Sequence, residues 1–278
     1  MTPLIAAGLI TFREGLEASL IVGIVLGYLR KIGRSDRRGY VWGGVLAALL
    51  VSLVIAVGLQ FLGARLEGDA EDTFEGATMF LAVGVLTYMV FWMRYQARFV
   101  RVALERDIEM AVSRGQNWAL FGLTFVAVLR EGVETALFLT AAAFVITPAE
   151  TTLGGVAGLG IAVLVGYLIY ATAVRLPVGR FFDVTSVLLL IFAAGLLAHG
   201  VHEFQSVGLI PMVVPQVWDM NWLLDENSPA GSVLKAVVGY NGNPSLIEVA
   251  SYVGYWTLVV VSVRWWVSRQ PLPAAEAS

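Results

Sequence analysis

Seven apolar runs alternate with polar segments along the chain, at about 4–29, 40–63, 74–94, 118–146, 153–174, 184–207 and 246–267. A helix needs roughly 20 apolar residues to cross a hydrocarbon layer of about 30 Å, so the pattern predicts seven transmembrane helices. The polar segments divide by charge. Arg30, Lys31, Arg34, Arg37 and Arg38 follow the first run; Arg98, Arg101, Arg106 and Arg114 follow the third, with Arg94 at its edge. Arg175 and Arg180 follow the fifth, and Arg264 and Arg269 close the seventh. The alternate segments hold Arg65 and Lys235 as their basic residues, against Glu67, Asp69, Glu71, Asp72, Glu150, Asp219, Asp225 and Glu226. Basic loops stay on the cytoplasmic side, which predicts an N-terminus outside and a C-terminus in the cytoplasm.

Three segments fall between or after the runs. Residues 95–117 mix charges with Val100, Leu104, Ile108 and Met110, and predict a helix that extends the third span or lies on the membrane surface. The outer segment 208–245 sets Trp218, Trp222 and Tyr240 among Pro and Asn, and predicts short interfacial helices. The tail 270–278 is Pro- and Ala-rich and reads as disordered. No basic stretch precedes the first run, which starts at about Pro3 and carries three charges, so it reads as a retained helix.

Composition agrees with the pattern. The chain is 58% hydrophobic and 14% charged, against roughly 25% charged in soluble domains, which places it among membrane proteins. It has no cysteine, which excludes disulfides, thiolate metal ligands and cysteine nucleophiles. The net charge of −3 decides nothing. Nucleic acid is not expected as a partner; membrane lipid is.

Two runs break the apolar rule at one short stretch. Arg13-Glu14-Gly15-Leu16-Glu17 lies inside the first, and Arg130-Glu131-Gly132-Val133-Glu134 inside the fourth. A charge at the bilayer centre costs at least roughly 2.5–3.5 kcal/mol, so such groups mark function. Fainter echoes accompany them: Gly43-Gly44-Val45 with Gly154-Gly155-Val156, and Phe74-Glu75 with Phe182-Asp183. Residues 1–94 and 118–207 therefore read as two three-helix copies, joined by 95–117, with the span within 246–269 outside the repeat. Three is odd, so the second copy enters from the opposite side. The expected fold is all-α, an inverted 3+3 repeat plus one helix, with both motifs meeting near the midplane.

Positions three apart share a helix face, as do positions four apart. Glu14 with Glu17 and Glu131 with Glu134 would thus present four carboxylates to one volume, a donor set suited to hard cations. Arg13 and Arg130 stand four residues before Glu17 and Glu134, and are expected to offset part of that charge when no cation is bound. Replacing Arg13 by Gln is then expected to change uptake while leaving the fold intact. Gly8 and Gly15 fall on the back of the first span and read as packing positions. Candidate access residues are Glu67, Asp69, Glu71, Asp72 and Glu75, although a solvated acidic loop would look the same. His199, His202 and Glu203 form a second candidate, against a plain interfacial pair. Asp183 and Glu248 read as favourable charges at helix starts.

The paired motifs resemble the signature of the oxidase-dependent iron permeases, a family with yeast high-affinity and bacterial members. The likeness extends over nearly the whole chain. It takes in Tyr28-Leu29-Arg30-Lys31, Phe74-Glu75-Gly76, Met89-Val90-Phe91-Trp92-Met93 and Gly239-Tyr240, with Pro244-Ser245 and Glu248-Val249. The resemblance implies uptake of iron, ferric or ferrous, across the plasma membrane, with the iron ion as substrate and no prosthetic group. It makes Glu14, Glu17, Glu131 and Glu134 the motif carboxylates and Arg13 and Arg130 the motif arginines. It also implies iron-binding or iron-oxidising proteins at the outer face; the oligomeric state stays open. Three alternatives remain: a carrier for a broader range of divalent metals, lead included; a membrane di-metal carboxylate oxidase; and a sensor that binds metal without transport. The second lacks the usual Glu-x-x-His pairs on the motif helices.

Overall fold

The computed structural model describes residues 3–96, 100–113, 116–145, 148–172, 178–226 and 228–268. Among these the chain is helical: α1 Pro3–Lys31, α2 Arg38–Gly63, α3 Asp69–Gln96, α4 Val100–Ser113, α5 Asn117–Val145, α6 Pro148–Thr172, α7 Val178–Ser206, α8 Pro229–Val238 and α9 Leu246–Ser268. Five helices, α2, α3, α6, α7 and α9, are long and apolar enough to cross a membrane. Helices α1 and α5 have 29 residues each and carry the charged motifs. The protein is a multi-pass membrane protein, and its outward faces are aliphatic: Leu50, Val54, Leu81, Val163, Leu164 and Val261 are all exposed.

The helices join through small residues, as lipid-embedded helices do. Helix α1 lies along α6. A Cβ added at Gly154 would fall 2.3 Å from the Leu4 carbonyl oxygen, and one at Gly158 would fall 2.1 Å from that of Gly8. One at Gly15 would lie 2.8 Å from the Ala162 Cβ. The α2–α5 contact repeats this arrangement. A Cβ at Gly44 would fall 2.6 Å from the Phe121 carbonyl oxygen, and one at Gly132 would fall 2.0 Å from Ser52 Oγ. Thus the glycine of each motif faces a small residue of a supporting helix: Ala162 behind Gly15, Ser52 behind Gly132. Leu4, Ala7 and Gly15 on α1 have the roles of Phe121, Thr124 and Gly132 on α5, at one constant offset. The matching glycines on the supporting helices are Gly44 and Gly154, one residue out of step with the echoed strings, because packing geometry sets the register.

Helices α3 and α7 run antiparallel. Phe204 covers Gly76, Phe80 covers Gly200, and the two rings stack at 5.1 Å. A central apolar cluster draws on α1, α3, α5, α7, α8 and α9, around Ile10, Met79, Leu86, Phe138 and Ala193.

The connecting segments refine the expectations. Helix α4 seats Ile108 and Ala111 against Val25, Leu29, Val41 and Leu120. Among its described residues the segment 208–245 holds one helix, α8, where several were expected. Ser228 caps it, accepting from Gly231 N at 3.0 Å, and Gly239 closes it in the left-handed conformation at φ 71°. Trp222 lies in a turn before it and Trp218 in irregular chain. Pro211 and Pro215 have no N–H to offer a helix there, and Val217 N and Met220 N donate instead to Pro244 O and Gly242 O. Asp183 is not at a helix start, since α7 begins at Val178. Glu248 is: Ser245 N donates to Glu248 Oε1 at 3.4 Å and Glu248 N to Ser245 Oγ at 3.2 Å, a reciprocal cap on α9. The tail 270–278 lies outside the described residues.

Candidate functional site

The two motifs meet where α1 crosses α5. With Gly15 and Gly132 pinned from behind, the carboxylates are turned inward. Oxygen atoms of Glu14, Glu131 and Glu134 lie within 4.8 Å of one another, the only such trio of His, Asp or Glu groups among the described residues. All three side chains are buried. Each keeps a buried oxygen, Glu14 Oε2, Glu131 Oε2 and Glu134 Oε2, with no hydrogen-bond partner among the described residues. Native interiors pair such atoms, because an unpaired buried acceptor costs about 1–3 kcal/mol, and more when charged. Three converging carboxylates from two helices, each with one lone oxygen, would together suit a cation.

Glu17, the fourth motif carboxylate, does not join the trio. Its Oε1 sits 3.0 Å from Arg13 Nη2. The two arginines are unequally placed. Arg13 is fully buried: Nη1 donates to Glu14 Oε1 at 2.8 Å and to Met89 Sδ at 3.2 Å, and Nη2 donates to Met93 Sδ at 2.8 Å. Arg130 has 34% of its side chain exposed. Its Nε donates to Glu134 Oε1 at 2.8 Å and lies 4.0 Å from Glu131 Oε1, while its guanidinium carbon stacks 4.3 Å from the Trp92 ring centroid. Arg13 is thus built into the fold. Removing one partner of a buried pair costs roughly 3–5 kcal/mol, so the expectation that Arg13→Gln spares the fold gives way.

Met89, Trp92 and Met93 were missed as site residues. They are spaced i, i+3 and i+4 on α3, a signal for one shared face, but nothing in the spacing says that the face meets two arginines.

The other candidates lie apart from the trio. Glu67, Asp69 and Glu71 are exposed around the start of α3, and Asp72 accepts from Ser206 Oγ at 2.7 Å. Glu75 and Glu203 are half-buried. His199 Nδ1 donates to Gly195 O at 3.0 Å, within its own helix. His202 Nδ1 lies 3.0 Å from Glu248 Oε1, tying α7 to α9. The two histidines share a face but take different partners, and neither belongs to the carboxylate trio.

The sequence profile of the Iron permease FTR1 family matches residues 4–269. The chain belongs to that family. Among similar proteins, the ferrous iron permease EfeU of Yersinia pestis is 39% identical over 249 residues, covering 89% of this chain and 88% of its own length. The ferrous iron permease EfeU of Escherichia coli O157:H7 is 38% identical over 249 residues, covering 89% and 90%. No solved structure matches the chain. Family and relatives alike are permeases, so this is a transport protein and not an enzyme, and the carboxylate-oxidase alternative falls away.

Proposed function

We propose that this chain carries iron across the plasma membrane through a site in which Glu14, Glu131 and Glu134 hold the ion and Glu17 stands beside it. The observation that carries the reading is the buried trio of carboxylates with one lone oxygen each. Oxygen donors suit iron in either valence. The names of the relatives favour ferrous iron; the all-carboxylate donor set favours ferric iron as the second reading. The test is uptake into proteoliposomes. Radiolabelled iron held ferrous by ascorbate is expected to accumulate faster than ferric citrate, and the reverse order would transfer the reading to ferric iron. Accumulation of neither above protein-free vesicles would overturn it.

The membrane arrangement we propose has seven spans, α1, α2, α3, α5, α6, α7 and α9, with residues 1–94 and 118–207 as inverted copies. The equivalent α1–α6 and α2–α5 contacts support this, since an in-plane two-fold axis would carry one into the other. The acidic start of α3 then faces outward, where it would draw cations and meet outer iron-delivering or iron-oxidising partners. Because the chain has no cysteine, single cysteines report sidedness without background. An impermeant maleimide applied to spheroplasts is expected to label Glu67→Cys, and to label Asp36→Cys only after lysis. The opposite pattern would invert the topology.

A further inference from the structure

The two motif arginines are equivalent in sequence but not in their surroundings. Arg13 has no exposed surface and is held by two carboxylates and two thioether sulfurs. To leave, it would have to give up all four contacts inside apolar surroundings. Arg130 is partly exposed, makes one close ion pair, with Glu134, and rests its guanidinium on an indole face. Glu134 is also a member of the carboxylate trio. Arg130 holds Glu134 Oε1 and leaves Oε2 without a partner, so a cation taken up there meets the guanidinium across one carboxylate and repels it.

We propose that Arg130 is the movable charge of the site and that Trp92 is the positioning residue that receives it. When a cation takes Glu134, Arg130 gives up that ion pair and keeps the indole face, which stabilises a guanidinium by cation–π attraction without occupying a metal ligand. When the cation leaves, Arg130 swings back to Glu134 and neutralises it. Met89 and Met93, one turn apart on the same helix, do the opposite task of locking Arg13. The stretch 89–93 of α3 thus sorts the two arginines into a fixed one and a mobile one. The inference rests on the carboxylate site being the transport site.

The test is a two-residue cycle in proteoliposomes, with initial rates of radiolabelled ferrous iron uptake fitted for KM and maximal rate. Trp92→Met removes the ring and keeps an apolar side chain. It is expected to raise KM about three- to tenfold with little change in maximal rate, the size of one cation–π contact. Trp92→Phe, which retains a ring face, is expected to restore most of the affinity. Arg130→Gln is expected to lower KM, since the repelling charge is gone, and to lower the maximal rate, since the ion is held longer. In the Arg130→Gln background, Trp92→Met is expected to change nothing further. Equal KM effects of Trp92→Met with and without Arg130, or equal behaviour of Trp92→Phe and Trp92→Met, would overturn the proposal. If Trp92→Met fails to accumulate, Arg130→Gln alone decides: unchanged KM and rate would overturn it. Glu14→Gln in the same vesicles separates the two levels. Uptake that survives Glu14→Gln removes the site itself, whereas uptake lost in Glu14→Gln beside a silent Trp92→Met removes only the moving arginine.

Discussion

Glu131→Gln is expected to reduce iron uptake by at least about a hundredfold while leaving the protein as stable as the wild type or more so. The substitution keeps the shape of the side chain and deletes one of three converging charges. Groups one contact removed from a metal already cost about 10–100-fold when lost, so a direct ligand should cost more. The stability half follows from the same geometry. Glu14, Glu131 and Glu134 repel one another in a buried space, and without an ion their charges are only partly offset by Arg13 and Arg130. A neutral amide at position 131 relieves that repulsion. Radiolabelled uptake in proteoliposomes reads the first half, and thermal unfolding of the purified protein reads the second. Uptake within twofold of wild type would mean that the trio does not carry the ion. A large loss of thermal stability would mean that Glu131 serves the fold.

Gly158→Val is expected to prevent accumulation of folded protein, whereas Gly160→Val, two residues on, is expected to be near neutral. A Cβ at Gly158 would fall 2.1 Å from the Gly8 carbonyl oxygen and 2.2 Å from Thr11 Oγ1, while one at Gly160 meets nothing within 4 Å. The Gly8 carbonyl is helix backbone and cannot swing away, so α1 would have to lift off α6. Overpacking against movable side chains costs about 1–3 kcal/mol; against a helix backbone the cost should exceed that range. Lifting α1 would also carry Arg13 and Glu14 away from α5. The two valine proteins have identical composition, so membrane yield and size-exclusion profile separate packing from hydrophobicity. Equal yields of both would show that α1 and α6 do not meet at Gly158.

Much of the candidate site is legible in the sequence. Arg13, Glu14, Glu131 and Glu134 stand out because six charges inside two apolar runs have no structural excuse. Gly15 read as a packing position for the right reason, and its partner is Ala162. Glu17 shows the limit. Its spacing from Glu14 promised a fourth ligand, but its oxygens fall outside the group that Glu14, Glu131 and Glu134 form. The histidines show another limit, because i, i+3 spacing places His199 and His202 on one face and says nothing about Gly195 O and Glu248 taking different rings. Trp92 was visible as part of a family-like string, with no hint of what it touches.

By itself the sequence determined the class of protein, an all-helical chain in the membrane, and the positions of the charged motifs. Both follow from properties that run along one dimension: the length of apolar runs and the cost of a charge within them. Only the tertiary structure decided which carboxylates converge, which arginine is fully buried and which is partly exposed, and that α3 supplies the sulfurs and the indole beside them. Those outcomes depend on how helices from distant parts of the chain rotate against one another, and that rotation is set where Gly15 meets Ala162 and Gly132 meets Ser52.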